Sequence, residues 1–170
     1  MTDDLTPVIA ASTRWLLAAY PASGGALGRA LAEAQARQAV ALAAALRYPT
    51  DLDVQLLHLL APGGSRSLDA LTAGEPHPDD VAWRSWVDET VVSWAACLLA
   101  DPALAAEAAH RAHTLGEHPT ASGLRRLTSP GAQDTDAASL LRHPDLLEGV
   151  AALHRPQLLE LLGADHAELP

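Results

Sequence analysis

The chain has 170 residues, enough for one domain with a substantial hydrophobic core. With 49% hydrophobic and 19% charged residues, its composition is that of a globular protein and excludes an intrinsically disordered one. A formal net charge of −10 and scattered arginines leave no basic face for phosphate contacts, so we expect no nucleic-acid partner.

Helix signals recur along the chain and β-branched runs with period two are absent, which predicts an all-α fold. The first helix is expected to begin at Thr6-Pro7, where an N-cap residue precedes a proline, and to end near Tyr20. An alanine-rich second helix is predicted over about 26–47, and its small side chains allow neighbouring helices to approach closely.

A third helix is predicted directly after the second. Pro49 and Thr50 separate the two helices, and Thr50 is placed to cap the third. Asp53 follows Thr50 by three residues and completes a variant of the capping box. The apolar face of this helix is formed by four leucines, Leu52, Leu56, Leu59 and Leu60.

Three of the four tryptophans lie in one stretch, residues 79–100, which we predict to be a single helix. Its second half is apolar on nearly every side, as expected of a central, buried helix. Arg84 and Asp88 are four residues apart and are expected to pair. Trp86 lies at the edge of an apolar stripe formed by Trp83, Val87, Val91, Trp94 and Leu98.

A further helix is predicted over about 103–115, and the stretch 128–136 is predicted to be a mobile loop. Residues 1–170 are expected to form a single all-α domain. Its architecture would be an irregular bundle of about seven to nine helices around the helix at 79–100. Four short helices complete the chain, near 121–127, 135–142, 144–153 and 156–162.

The helix at 103–115 carries Glu107, His110 and His113, which raises the question of a metal site. Glu107 and His110 have the Glu-x-x-His spacing of di-iron helical bundles, but those sites point inward and need a second such motif, which the chain lacks. Both histidines lie opposite the apolar stripe of their helix. We therefore expect His110 and His113 to face water, and we predict no metal ion and no other cofactor.

The stretch Ala112–Leu115 resembles the sequence around the phosphate-accepting histidine of histidine-phosphotransfer domains. The resemblance implies that His113 is an exposed phosphoacceptor. The lysine and glycine that normally follow in that family are Gly116 and Glu117 here, and Pro119 would break a helix that the family keeps continuous. Phosphotransfer is therefore the third hypothesis for the function.

The leading hypothesis is a non-catalytic interaction protein. The chain has no Gly-x-Ser-x-Gly motif, no phosphate-binding glycine loop and no Cys-x-x-Cys pair, which favours a non-enzyme. Trp15 lies off the apolar face of the first helix, so it is either exposed or covered by another element, and exposed tryptophans are typical interface anchors. We predict an adaptor that binds a protein partner or a second copy of itself through Trp15 and Trp86.

The alternative is a small enzyme, or a protein that binds a small molecule in a pocket between helices. The polar groups of that pocket would come from five side chains, His58, Arg84, Asp88, Glu89 and His110. A cavity in which these side chains converge would distinguish this hypothesis from an interaction protein.

Several features bear on the cellular compartment. The single cysteine, Cys97, excludes an internal disulfide and fits a reducing environment. The first residues contain two acids and no basic segment, unlike a signal peptide, and the apolar run at 91–100 is too short to span a bilayer. We therefore expect a soluble, cytoplasmic protein with no membrane partner. All 11 basic residues are arginine and alanine is abundant, which is typical of a high-GC bacterial genome.

Overall fold

The computed structural model describes residues 4–60, 64–72, 81–116 and 121–163. In these ranges every regular element is helical, which confirms the all-α prediction, and eleven α-helices replace the expected seven to nine. A 3₁₀ turn at Ala121–Leu124 precedes the eighth of them. The helices are α1 (Thr6–Ala19), α2 (Ala26–Arg47), α3 (Asp51–Leu60), α4 (Arg66–Thr72), α5 (Val81–Arg84), α6 (Glu89–Ala100), α7 (Pro102–Leu115), α8 (Arg125–Thr128), α9 (Ala132–Ala137), α10 (Pro144–Ala151) and α11 (Arg155–Leu162).

Helix α2 has the predicted bounds and makes, with α6, the most extensive contact between any two described helices. Alanine side chains dominate its buried face, and Ala36, Ala39 and Ala43 have no exposed surface. Small side chains at a contact let two helix axes come close together. The alanine-rich composition of α2 therefore acts through packing, as the sequence predicts.

The stretch predicted as one helix at 79–100 is two helices, α5 and α6, separated by a turn. Asp88 has an extended backbone and begins α6 as its N-cap residue. Its carboxylate accepts hydrogen bonds from the amides of Thr90, at 2.9 Å, and Val91, at 3.1 Å. The capping signal at Asp88 thus overrides the apolar periodicity that runs through it. Every residue at 91–99 is buried, so the apolar half of the stretch does lie inside.

Helix α6 is tied to the C-terminal helices by polar bonds from its buried side chains. The Ser93 hydroxyl donates to the carbonyl oxygen of Ala151, at 3.1 Å, and accepts from the amide of His154, at 3.0 Å. The Trp94 indole N–H donates to the His154 carbonyl oxygen at 2.9 Å. These bonds satisfy backbone groups in the turn between α10 and α11, which a purely apolar α6 would leave without partners.

Residues 128–136 contain helix α9 in place of the predicted mobile loop. Locally, the Asp134 carboxylate accepts from the Gly131 amide at 3.1 Å at the start of this helix, and a long-range bond adds to this. The Gln35 side chain of α2, fully buried, donates to the Asp134 carbonyl oxygen at 2.8 Å. Its amide oxygen accepts from the Arg142 guanidinium at 3.1 Å. Gln35 therefore fastens α9 and the turn after it to α2.

Replacing Gln35 with leucine should destabilise the fold. The Gln35→Leu variant removes one of the partners of the buried Asp134 carbonyl and one of those of the Arg142 guanidinium, which we expect to lower the free energy of unfolding by about 2 kcal/mol. Urea unfolding followed by tryptophan fluorescence measures the change. Gln157→Leu, on the exposed side of α11, is the matched control and should change stability little. Equal stabilities for the two variants would contradict the assigned role of Gln35.

Candidate functional site

Helix α3 begins with the capping arrangement that the sequence predicts. The Thr50 amide and hydroxyl both donate to the Asp53 carboxylate, at 3.0 Å and 2.6 Å. In return, the Asp53 amide donates to the Thr50 hydroxyl oxygen at 3.2 Å. This reciprocal pair satisfies amides that the first helical turn would otherwise leave unpaired. The capping-box prediction is confirmed.

The apolar face predicted for α3 points to solvent. On the helical wheel its four leucines lie within about 100° of one another, and Val54 and Leu57 lie on the opposite side. Only Val54 and Leu57 are buried, at 5% and 6% exposure. The outward leucine face is exposed by 63%, 44%, 78% and 77% at Leu52, Leu56, Leu59 and Leu60.

The sequence could not reveal which side of α3 is buried, because the helix is apolar on both sides. Val54 and Leu57 are the inward residues that the sequence interpretation passed over, and their spacing of three was the available signal. Among the described helices, α3 alone makes only sparse contact with every other helix. Each of the other exposed leucines lies on a different element, as isolated surface leucines commonly do. Among the described helices, α3 is therefore the one that exposes several large apolar side chains on a single face.

A recess of about 260 Å³ lies beside the outward leucine face. Its volume is below the range of about 300 to 1,000 Å³ typical of small-molecule sites, which suits a single large side chain better than a ligand. Its walls are apolar and its rim is charged. The recess is lined by Arg47, Tyr48, Asp53, Leu56, Leu57 and Leu60.

The wall of the recess is anchored to the buried helix α6. The Tyr48 hydroxyl donates a short hydrogen bond to the Asp88 carboxylate. Burial, together with this bond and the nearby carboxylate charge, raises the pKa of Tyr48 well above its usual range. The phenol therefore stays protonated and remains a donor to Asp88. Because the other oxygen of Asp88 caps α6, the end of α2 and the start of α6 are held together by one side chain.

Trp86, predicted to contact a partner, lies at the flank of α3. It is half-buried, and its ring makes an edge-to-face contact with His58, with 5.7 Å between the ring centroids. The His58 ring nitrogen Nε2 lies 2.9 Å from the carbonyl oxygen of Asp4, at the start of the described chain. On the helical wheel His58 lies beside Val54, so the contact with Trp86 supports α3 on the side away from the outward leucine face.

Trp15, the other predicted contact residue, is buried with 2% exposure. Of the two alternatives that the sequence left open, the covered position is the one found. The indole N–H donates to the Asp69 carboxylate of α4 at 2.9 Å, so α4 covers the side chain. A buried tryptophan offers no area to a partner, so Trp15 is not part of the candidate surface.

The five side chains of the alternative pocket have separate surroundings, and none of them lines the recess beside α3. Arg84 pairs with Asp69 at 2.6 Å instead of with Asp88, the pairing expected from their spacing of four. Asp88 caps α6, and His110 is exposed on α7. Glu89 accepts a hydrogen bond from a serine hydroxyl of α4. Arg84, Asp88, Glu89 and His58 thus each take part in a different contact, and the partner of His58 is Trp86.

The histidines of α7 face outward, as predicted, since His110 and His113 are both exposed. Helix α7 ends at Leu115, two residues after His113, and Gly116 follows with a φ of 148°. In the described ranges, no three His, Cys, Asp or Glu side chains come close enough to hold a metal ion. None of the described helices has the length and apolar character needed to cross a membrane.

Comparisons with known proteins return no match. No family model fits the chain, no curated protein matches its sequence, and no solved structure matches its fold. The likeness of the His113 stretch to phosphotransfer domains therefore gains no support from these comparisons.

Asp69 is the acid that links α1, α4 and α5. Its carboxylate accepts hydrogen bonds from the Trp15 indole at 2.9 Å, the Arg84 guanidinium at 2.6 Å and the Ser65 hydroxyl at 2.9 Å. Burial by itself would raise the pKa of Asp69, but these three donors and the Arg84 charge outweigh it, so the pKa lies below its ordinary value of 3.8. The ionised carboxylate thus stabilises the packing of Trp15.

The stability provided by Asp69 should depend on pH. Because the folded-state pKa is depressed, the contribution is complete above the unfolded-state pKa, near 3.8, and is lost as pH falls through the lower folded-state pKa. The Asp69→Asn variant should be less stable than the parent chain by about 1 to 3 kcal/mol near neutral pH, and the difference should shrink below about pH 4. Urea unfolding at several pH values measures both. The exposed Asp136→Asn change is the control, and a pH-independent difference for Asp69→Asn would contradict the assignment.

Proposed function

We propose that this protein is a non-catalytic helical interaction protein, and that it binds a protein partner through the outward leucine face of α3. One observation carries the proposal: four contiguous leucines of a single helix face solvent while only two side chains of that helix are buried. A ten-residue helix is marginal by itself in water, and packing normally stabilises it. A partner helix or groove would supply the missing packing.

The exposed area of the four leucines determines how much free energy a partner could gain by covering them. Their exposed fractions add up to roughly two and a half complete leucine side chains. At about 2 kcal/mol per leucine, covering this face would contribute about 5 kcal/mol before the cost of association. A micromolar complex needs about 8 kcal/mol net, so the partner must also contact the surroundings of the face. The recess and its charged rim provide those contacts.

The geometry favours a partner that presents an apolar helical face with one large anchoring side chain. Leucines at spacings of three and four form a ridge that an amphipathic helix can pack against. The recess behind Leu56 would accept the anchor, as interface hot spots commonly do. Arg47 and Asp53 at the rim would give polar contacts around the apolar centre.

A second copy of this chain is the competing partner. In a two-fold symmetric dimer, the leucine face of one copy would pack against the same face of the other. Each copy carries a formal net charge of −10, however, and this charge disfavours self-association at low salt. The charge therefore favours a different, less acidic protein. The small-enzyme hypothesis loses support because its five polar groups are separated. Phosphotransfer by His113 likewise has no supporting observation beyond its exposure.

Replacing two of the outward leucines should weaken partner binding without unfolding the chain. The double variant Leu56→Ser/Leu59→Ser removes apolar area from the face, and we expect about a tenfold to hundredfold loss of affinity. A photo-cross-linking amino acid at position 59, introduced in cells, identifies the contacting protein by mass spectrometry. Titration of the purified contact protein then measures the loss.

The control uses a leucine with similar exposure on another helix. Leu27 of α2 is 69% exposed, and Leu27→Ser should leave binding unchanged. Sedimentation velocity of the parent chain distinguishes a different partner from a dimer. If the cross-link joins two copies, the self-binding form of the proposal holds. If the double variant binds as tightly as the parent chain, or if position 59 yields no cross-link at all, the α3 surface is refuted.

A further inference from the structure

A second and larger cleft lies away from α3, between α2, the 3₁₀ turn, α8 and α9. It has a volume of about 540 Å³, inside the range typical of small-molecule sites. Hydrogen-bond donors dominate the side chains around it. They include Gln38, Ser122, Arg125, Arg126 and Ser129, and the acid among the described lining residues is Asp134.

The charge of the cleft is opposite to that of the whole chain. Arg125 and Arg126 are the sole adjacent pair of basic residues in a sequence with a formal net charge of −10. Arg126 pairs with one oxygen of Asp134 at 2.6 Å, and the other oxygen accepts from the Gly131 amide at 3.1 Å. Arg125 is exposed and forms no ion pair with a described residue. The acid is therefore already neutralised, and one positive charge remains available.

The walls of the cleft are fixed before any ligand arrives. The Gln38 amide oxygen accepts from the backbone amide of Leu127 at 3.1 Å, which orients the side chain. The partly buried Arg142 guanidinium donates to the Leu127 carbonyl oxygen at 3.2 Å, which helps to hold the end of α8 in place. Asp134 itself is held by the Gln35 bond to its backbone. Walls that are already ordered lose little freedom on binding and so favour affinity.

We propose that this cleft binds a phosphorylated small molecule, with the phosphate held by Arg125, Arg126 and Ser129. Guanidinium groups bind phosphate through paired, charge-assisted hydrogen bonds, and the serine hydroxyl adds a donor. The volume exceeds what a phosphate alone would fill, so Gln38 and Ser122 are placed near an organic portion of the ligand. This inference is independent of the α3 surface.

The test is calorimetric titration of the full chain with ribose 5-phosphate, ribose, pyrophosphate and sulfate at low ionic strength. Ribose 5-phosphate should bind with one-to-one stoichiometry, ribose should not bind, and sulfate should bind more weakly than ribose 5-phosphate. Arg125→Gln should weaken ribose 5-phosphate binding about tenfold or more. Arg125→Lys keeps the charge but loses the paired geometry, so its affinity should be intermediate.

The matched control is Arg29→Gln, a change at an exposed arginine near the start of α2. It alters the net charge by the same amount and should leave the affinity unchanged. Circular dichroism checks that each variant is folded. No binding of either phosphate compound up to about 1 mM would overturn the proposal. Equal binding of sulfate and ribose 5-phosphate, or equal losses in the Arg125 and Arg29 variants, would show an adventitious ion only and would also overturn it.

Discussion

The carboxylate of Asp88 is the interaction on which the arrangement around α3 depends. One of its oxygens accepts the amides that begin α6, and the other accepts the hydroxyl of Tyr48 at the end of α2. Since α2 and α6 form the largest helix contact, this side chain fixes the relative position of the two main helices at one end. Thr50 starts α3 two residues after Tyr48, so the direction in which α3 leaves α2 is fixed at the same point. The outward leucine face is a consequence of that direction together with the burial of Val54 and Leu57.

Local signals in the sequence predicted the helices well where the physics is local. The bounds of α1, α2 and α7 lie close to those expected, and the Thr50–Asp53 cap is found as predicted. The cap predicted at Thr6 is wrong, because Leu5 is the N-cap residue of α1 and no side chain caps it. The sequence-based predictions failed where the structure depends on a residue far away in the chain. Trp15 is covered because Asp69, 54 residues later, accepts its indole N–H. The helix found within 128–136 is held against α2 by Gln35, 99 residues before Asp134, which donates to the Asp134 carbonyl oxygen. Such long-range hydrogen bonds produce no periodic pattern in the amino-acid sequence.

The candidate surface shows the same division between local and long-range causes. The leucine spacing of α3 correctly identifies an apolar face, since spacing is a property of the helix alone. Whether that face is buried or exposed depends on how α3 packs against its neighbours. In α3 the buried side is the second apolar side, formed by Val54 and Leu57. The polar residues proposed for a pocket failed for a related reason. Their types suit catalysis, but Arg84, Asp88 and Glu89 are already engaged in pairing or capping. His58 contacts the Trp86 ring, and His110 is exposed on a different helix.

The two proposed sites each include a residue of α2, yet they can be tested independently. Gln38 at the cleft and Tyr48 at the recess are ten residues apart on α2, or about 15 Å along its axis. No residue lines both cavities. Substitutions separated by more than about 10 Å without shared partners usually have additive effects. A variant at Arg125 therefore tests the anion site without disturbing the leucine face, and a variant at Leu56 or Leu59 tests the protein interface without altering the charge of the cleft. If a coupling between the two sites is measured, we expect α2 to transmit it, because residues of α2 line both the cleft and the recess.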